Sequence, residues 1–219
     1  MTHTVDLYWS FRSPYSYLAN DAIVAMRKKY DLTVNVRIVY PIAIRSPEFF
    51  EKANPLWRNY IRRDVVRVAE MKGIPFSIPP VPDPVVIDKD RPIVSPDQPY
   101  IYRLSHIGAA ACESGDGLAF IHAVAETIWS GRVRNWDNGD HLERAANRAG
   151  FDLAELDNRI AGNFERYDQM VKANQDTLEA SGHWGVPTLV YKNEPFFGQD
   201  RVDLCLWRMK TDGLKLRST

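Results

Sequence analysis

Strand periodicity occurs in this chain only near its two ends, and residues 45–182 between them read as helix and loop. Val5, Leu7 and Trp9 alternate with Asp6 and Tyr8, the two-residue period of a strand. Ser13-Pro14 then reads as the N-cap and first position of a helix running to about Tyr30, with Tyr17, Leu18, Ile23, Val24 and Met26 as a broad apolar set. Thr33–Tyr40 is rich in β-branched residues and reads as a second strand. The period returns at Thr188–Tyr191, followed by a turn at Lys192-Asn193, a strand at Pro195–Phe197, and Gly198-Gln199-Asp200 opening a last helix with Asp200 as its N-cap. The order is β-α-β, a helical interior, then β-β-α. The ends are complementary halves of one small sheet, so the expected division is 1–44, 45–182 and 183–219, the middle part being an all-α insertion.

Within the insertion, Asn54-Pro55 starts a helix whose stripe is Trp57, Ile61, Val65 and Val68 and which Gly73 ends. Residues 74–99 hold eight prolines, a density that forbids regular structure and predicts a long surface loop. Helices are expected at about 99–114, 116–131, 140–149 and 153–181, the last carrying Ile160, Phe164, Tyr167 and Val171 at helical spacing. With 219 residues, 45% hydrophobic and 26% charged, the chain is an ordinary globular protein. Lys plus Arg balance Asp plus Glu at 28 each, which argues against nucleic acid as a partner. No basic stretch followed by an apolar run opens the chain and no segment has membrane-spanning length, so the expectation is a cytoplasmic protein without a membrane partner. Cys112 and Cys205 lie far apart, and neither they nor the five histidines have metal-ligand spacing, so no metal is expected.

A β-α-β … Pro-β-β-α order is that of an α/β thioredoxin-like fold, here interrupted by the helical insertion. Its working position is the start of the first helix, where backbone N–H groups and the helix dipole favour a negative sulfur. Ser13-Pro14-Tyr15-Ser16 has the form of CPxC with both sulfurs exchanged for oxygen. A serine pair cannot cycle through a disulfide, so dithiol redox chemistry is excluded. Ser13 then has two readings: a plain helix cap, or a hydroxyl that steadies a thiolate brought by a small molecule. Val186-Pro187-Thr188 lies where such folds hold a cis proline, and Val186 there could pair with a peptide backbone; an ordinary trans proline at a strand start is the alternative. Gly198-Gln199-Asp200-Arg201 could cap a helix, capture an amino-acid end group, or do both.

Three runs carry a resemblance: DLYWSFRSPYSYLAN, NPLWRNYIRRDVVRVAEMKGIPF and GVPTLVYKNEPFFGQDRVDL. In this order and spacing they resemble the 2-hydroxychromene-2-carboxylate isomerases and kappa-class glutathione transferases, over nearly the whole chain. What the resemblance implies is a glutathione-dependent enzyme of aromatic compound catabolism. Ser13 matches the serine facing the glutathione sulfur, Val186 and Pro187 the positions pairing with the cysteinyl backbone, Gln199 and Asp200 the pair near the γ-glutamyl end, and Asn54 an asparagine near the glycine end. The resemblance also implies a small aromatic substrate and leaves a homodimer open. The long Pro-rich stretch, Ser10 and Arg12 depart from the family pattern.

Arg12, beside the thiol position, is read as solvent-facing, with reception of a substrate carboxylate as the alternative. Trp9, Phe11, Tyr15, Tyr40, Trp57, Trp129 and Trp184 are either core or pocket wall. Both cysteines are read as small buried hydrophobes, and His183 as structural rather than a general acid or base. The function favoured is a glutathione-dependent isomerase of small aromatic carboxylates; the alternatives are a glutathione transferase and a non-catalytic glutathione- or peptide-binding module, while the absence of CxxC argues against a disulfide oxidoreductase.

Overall fold

The computed structural model describes residues 3–78, 82–88 and 93–218. Strand β1 (His3–Trp9) leads into α1 (Pro14–Lys29) and β2 (Leu32–Ile38), and β3 (Thr188–Tyr191) and β4 (Glu194–Phe197) are followed by α10 (Val202–Thr211). The sheet order is β2-β1-β3-β4. β1 runs parallel to β2, from His3 opposite Leu32 to Trp9 opposite Ile38, and antiparallel to β3, with Leu7 opposite Leu189. β3 and β4 form the hairpin, turning at Lys192 and Asn193, both with positive φ (51° and 64°), the conformation that two-residue hairpin turns require. The fold is the expected α/β thioredoxin-like one, with a four-stranded mixed sheet.

Between the halves lie α2 (Ile42–Arg45), α3 (Phe49–Lys52), α4 (Pro55–Lys72), α5 (Ile101–Ser114), α6 (Gly117–Trp129), α7 (His141–Arg148), α8 (Leu153–Ile160) and α9 (Phe164–Ala180). The single helix expected over 153–181 is two. Gly162 adopts φ 70°, which stops α8, and Asn163 begins α9. The apolar spacing runs unbroken across this stop, yet Phe164 stays half-exposed, packed edge-on to His106 with centroids 4.8 Å apart. Asn54 and Gly73 bound α4 as expected: the Asn54 side-chain oxygen Oδ1 accepts from Leu56 N–H at 2.9 Å, and Gly73 closes the helix at φ 65°.

One apolar core runs through sheet and helices, joining Val5, Leu7, Trp9 and Phe11 to Leu104, Ile107, Ile121, Val124 and Trp129. Trp9 and Phe11 meet edge to face, with centroids 4.7 Å apart. The Trp129 indole N–H donates to the Phe11 carbonyl at 2.9 Å, and the Trp9 indole N–H to Asn20 at 3.0 Å, so two large buried rings leave no donor orphaned. Gly108 on α5 makes room for Phe11: a Cβ there would stand 2.8 Å from the ring.

The Pro-rich segment is held down through its carbonyls. Proline brings no N–H, so the segment offers acceptors. Tyr17 donates to the Pro75 carbonyl (2.8 Å) and Trp136 to the Pro82 carbonyl (2.5 Å), while Ser77 N–H donates to the Trp129 carbonyl (2.8 Å).

A buried polar network joins the end of β2 to α5 and α9. The Tyr40 hydroxyl donates to Asp168 at 2.8 Å and lies 2.7 Å from His106 Nε2, and Lys172 closes on Asp168 at 2.6 Å. Burial pushes the His106 pKa below its ordinary value, with Asp168 pulling weakly the other way.

Two tests follow from this packing. Gly108→Ala gains about 1 kcal/mol of helix propensity but forces Phe11 aside, and overpacking of this kind costs about 1–3 kcal/mol. The thermal midpoint should therefore fall, as calorimetry would record. The His106 ring stays neutral in the fold, whereas in the unfolded chain it takes up a proton as pH falls through about 6.5. Stability is then full above that value and declines below it, by at most about 1.4 kcal/mol per pH unit for one proton. His106→Gln should flatten that decline in denaturant melts between neutral and mildly acidic pH; an unaltered slope would exclude His106 as its source.

Candidate active site

The site is assembled where the two halves of the sheet domain meet. Ser13 caps α1: its oxygen accepts from Ser16 N–H at 3.2 Å, and Pro14 fills the first helical position. The first turn of α1 carries no acidic residue, while Arg27, Lys28 and Lys29 occupy the last. The helix dipole is thus complemented at its carboxyl end and left open to an anion at Ser13. The Ser13 hydroxyl donates to the Val186 carbonyl at 3.2 Å. The Val186-Pro187 peptide is cis, and the Val186 N–H has no partner among the described residues.

The neighbouring loop is fixed by short contacts. Gly198 N–H donates to the Pro187 carbonyl at 2.9 Å and Thr188 Oγ1 to the Gly185 carbonyl at 2.7 Å. Phe197 lies against Gly185 so closely that a Cβ there would stand 2.5 Å from its ring. His183 stacks on Phe197 with centroids 4.0 Å apart, and its Nδ1 accepts from Gly185 N–H at 2.9 Å. Burial lowers its pKa, so this ring is a neutral strut of the loop.

Ser13, Val186 and Pro187 are therefore in one cluster, and the Gly198–Pro187 bond brings Gln199 and Asp200 to its edge. The Gln199 side-chain oxygen is buried without a partner among the described residues. Asp200 is not the N-cap of α10. The helix begins at Val202 with Arg201 at its N-cap position and no side-chain cap, and Asp200 pairs with the Arg201 guanidinium at 2.9 Å. Asn54 reaches the cluster indirectly. Its neighbour Trp57 packs on Phe49 (5.4 Å between centroids), and Phe49 on Trp184 (5.9 Å), two residues before Val186.

Of the aromatic residues singled out in the sequence, Trp9, Phe11, Tyr40 and Trp129 are buried core, whereas Trp57 and Trp184 are 39% and 48% exposed and open onto the site. Tyr15 is half-buried and donates to Asp64 on α4 at 2.5 Å; burial first, then this carboxylate, raises its pKa. Arg12 is not solvent-facing: it is half-buried and pairs at 2.6 Å with Asp83 of the Pro-rich segment, its guanidinium 5.7 Å from the Trp129 ring centroid. Phe49 and Arg45 were not foreseen. Arg45 donates through Nε to the Tyr40 carbonyl (2.8 Å) and through Nη1 to the Trp184 carbonyl (2.9 Å). The adjacent Phe49-Phe50 pair in a polar stretch was the only local signal for this wall.

The chain's own sulfurs stand apart from this cluster. Burial pushes both the Cys112 and the Cys205 thiol up to about 12, which removes thiolate at neutral pH. No group of His, Cys, Asp and Glu among the described residues is placed to hold a metal, and none of the described helices is long and apolar enough to cross a membrane. A surface depression of about 550 Å³, lined by Val24, Arg27, Leu32, Val34 and Arg217, lies by the carboxyl end of α1, away from Ser13.

With this geometry in hand, comparison is decisive for the family. The DSBA-like thioredoxin domain matches residues 4–210. The chain belongs to the DSBA-like thioredoxin family. Among DSBA-like relatives, a Pseudomonas putida protein named 2-hydroxychromene-2-carboxylate isomerase is 24% identical over 205 residues, covering 90% of each chain. A solved 2-hydroxychromene-2-carboxylate isomerase superposes with a TM-score of 0.68 at 20% identity, covering 95% of both chains. A cytosolic disulfide reductase from Pseudomonas aeruginosa superposes at 0.63 with 15% identity, over 95% of this chain and 99% of its own. At such identities the structural likeness shows the fold. In this DSBA-like domain, serines stand at 13 and 16 and the Ser16 hydroxyl is buried without a partner among the described residues.

Cys205, which is buried, should accordingly stay silent toward a chromogenic disulfide at neutral pH until the protein is denatured, the partly buried Cys112 should react slowly, and insulin reduction should remain at background. Rapid titration of Cys205 in the native protein would contradict its burial.

Proposed function

We propose that this protein is a glutathione-dependent isomerase of small aromatic carboxylates, with Ser13 steadying the glutathione sulfur. The observation that carries the reading is a helix N-terminus with no acidic residue in its first turn, capped by a hydroxyl, in a chain whose Cys205 is buried, whose Cys112 is partly buried, and whose thiols are both pushed up to about 12. The names of its relatives favour isomerase chemistry. Fit to the tripeptide is favoured by the unpartnered Val186 N–H, which can pair with a peptide backbone, and by the orphaned Gln199 oxygen, which suits the ammonium of a γ-glutamyl end. Asp200 adds a carboxylate for the same end, and Asn54 has its side-chain amide N–H groups free among the described residues for the glycine end. When bound, glutathione supplies a thiolate that adds reversibly to a conjugated double bond and leaves again, so that the bond made single can rotate in between.

The chain's part is to hold the sulfur negative and in place. Ser13 has one hydroxyl proton, spent on Val186 O at 3.2 Å. Turning it to a sulfur anion gives up a neutral bond worth about 0.5–1.5 kcal/mol for one to a charged partner worth about 1.5–3 kcal/mol, so the exchange is favourable. The same oxygen still accepts from Ser16 N–H, which keeps the cap intact. Trp57, Phe49 and Trp184 then form the apolar wall against which a flat acceptor would lie.

Ser13→Ala should raise the thiol pKa of bound glutathione by about one unit, the equivalent of one charged hydrogen bond. Turnover of a 2-hydroxychromene carboxylate near neutral pH should fall about ten-fold, with glutathione affinity changing less. Thiolate ultraviolet absorbance against pH and steady-state kinetics read both quantities. An unmoved pH–rate profile in the variant would remove Ser13 from the mechanism.

A further inference from the structure

Arg45 is a cation with directional bonds but no counter-ion among the described residues. Its guanidinium has five N–H donors. Two are spent on the backbone carbonyls of Tyr40 and Trp184, at 2.8 and 2.9 Å, which orient the plane without neutralising the charge. No carboxylate among the described residues pairs with it, although Arg12, Arg27, Arg103, Arg166 and Arg208 each have an acidic partner. Burial lowers its pKa, and Glu179 acts on it only from beyond ion-pair distance. A half-buried cation left unpaired is costly, and an entering anion relieves that cost.

Its position gives the charge a use. The Trp184 carbonyl that Arg45 holds stands two residues before the Val186 carbonyl that Ser13 holds. Guanidinium and hydroxyl thus flank one short loop, separated on the order of 10 Å, about the length of a bicyclic aromatic acid. On the same loop the Trp184 ring, tilted 59° to Phe49, and beyond Phe49 the Trp57 ring, at 84° to it, present half-open aromatic surface. Arg12, the other arginine near Ser13, is already taken by Asp83.

We propose that Arg45 seats the carboxylate of a planar aromatic acid whose ring lies on Trp184 and Trp57, making it the residue that selects acids over uncharged analogues. The assignment rests on reading the Ser13 cleft as one that takes an aromatic substrate. It is tested by calorimetric titration of the full chain, without glutathione, using naphthoate and its uncharged isostere naphthamide. Wild-type protein should bind the acid about ten-fold more tightly than the amide, the worth of one charge-assisted contact. Arg45→Met should abolish that preference while amide affinity stays within about two-fold, Arg45→Lys should keep part of it, and Trp184→Ala should weaken both ligands. Equal binding of acid and amide by the wild type, no measurable binding of the acid, or a parallel loss of both in Arg45→Met would overturn the proposal, the last by reducing Arg45 to a strut of the loop. The wild-type comparison decides even if Arg45→Met fails to fold. A separate glutathione titration keeps the two readings apart: failure of glutathione to bind would sink the thiol mechanism and leave the acid seat standing.

Discussion

A single hydroxyl joins residues 173 positions apart in the chain. Ser13 accepts from the first turn of α1 and donates to the carbonyl that precedes the cis proline, so the helix end and the β3 approach are fixed against each other through one oxygen. That junction exists only because β1 pairs with β3, placing the amino-terminal and carboxy-terminal halves in one sheet. Gly198 on Pro187 and Phe197 against Gly185 hold the loop in place beside it. The rest of the chain determines what can approach it.

The helical segment does more than lengthen the sheet domain. α5 and α6 cover the sheet directly, and Trp129 and Gly108 enclose Phe11, two residues before Ser13. The Pro-rich segment is tied to the same place by Arg12 and Asp83, and by tyrosine and tryptophan donors on its carbonyls. Burial raises the Asp83 pKa more than its arginine lowers it, which marks how far this pair is withdrawn from water. Polar backbone that prolines leave without donors is here the means of attachment.

What was legible in the sequence was what local physics decides. Alternation at Val5–Trp9 and Thr188–Tyr191, the caps at Ser13 and Asn54, and the stop at Gly73 each depend on a few adjacent residues, and each stands in the structure. Where competition decides, sequence reasoning failed. Asp200 had a good capping residue's chemistry but also an arginine next to it. Gly162 broke a helix whose apolar spacing continued. Arg12 found its acid some seventy positions away, a distance no local pattern encodes. For the site, the Ser13, Val186 and Pro187 cluster followed from motif order, whereas Arg45 and Phe49 belong to short helices with too few residues to show a period.

The continuity of the apolar core has a thermodynamic consequence. Phe11 belongs to the same packed cluster as α5 and α6, and Ser13 follows it with only Arg12 between. The Ser13 side of the cleft is coupled to that layer, because the first turn of α1 loses its footing when the helices loosen, whereas Val186 packs on a separate cluster of Tyr8, Val39, Leu178 and Val190. Ligand held at Ser13 would then stabilise the helical layer along with the cleft.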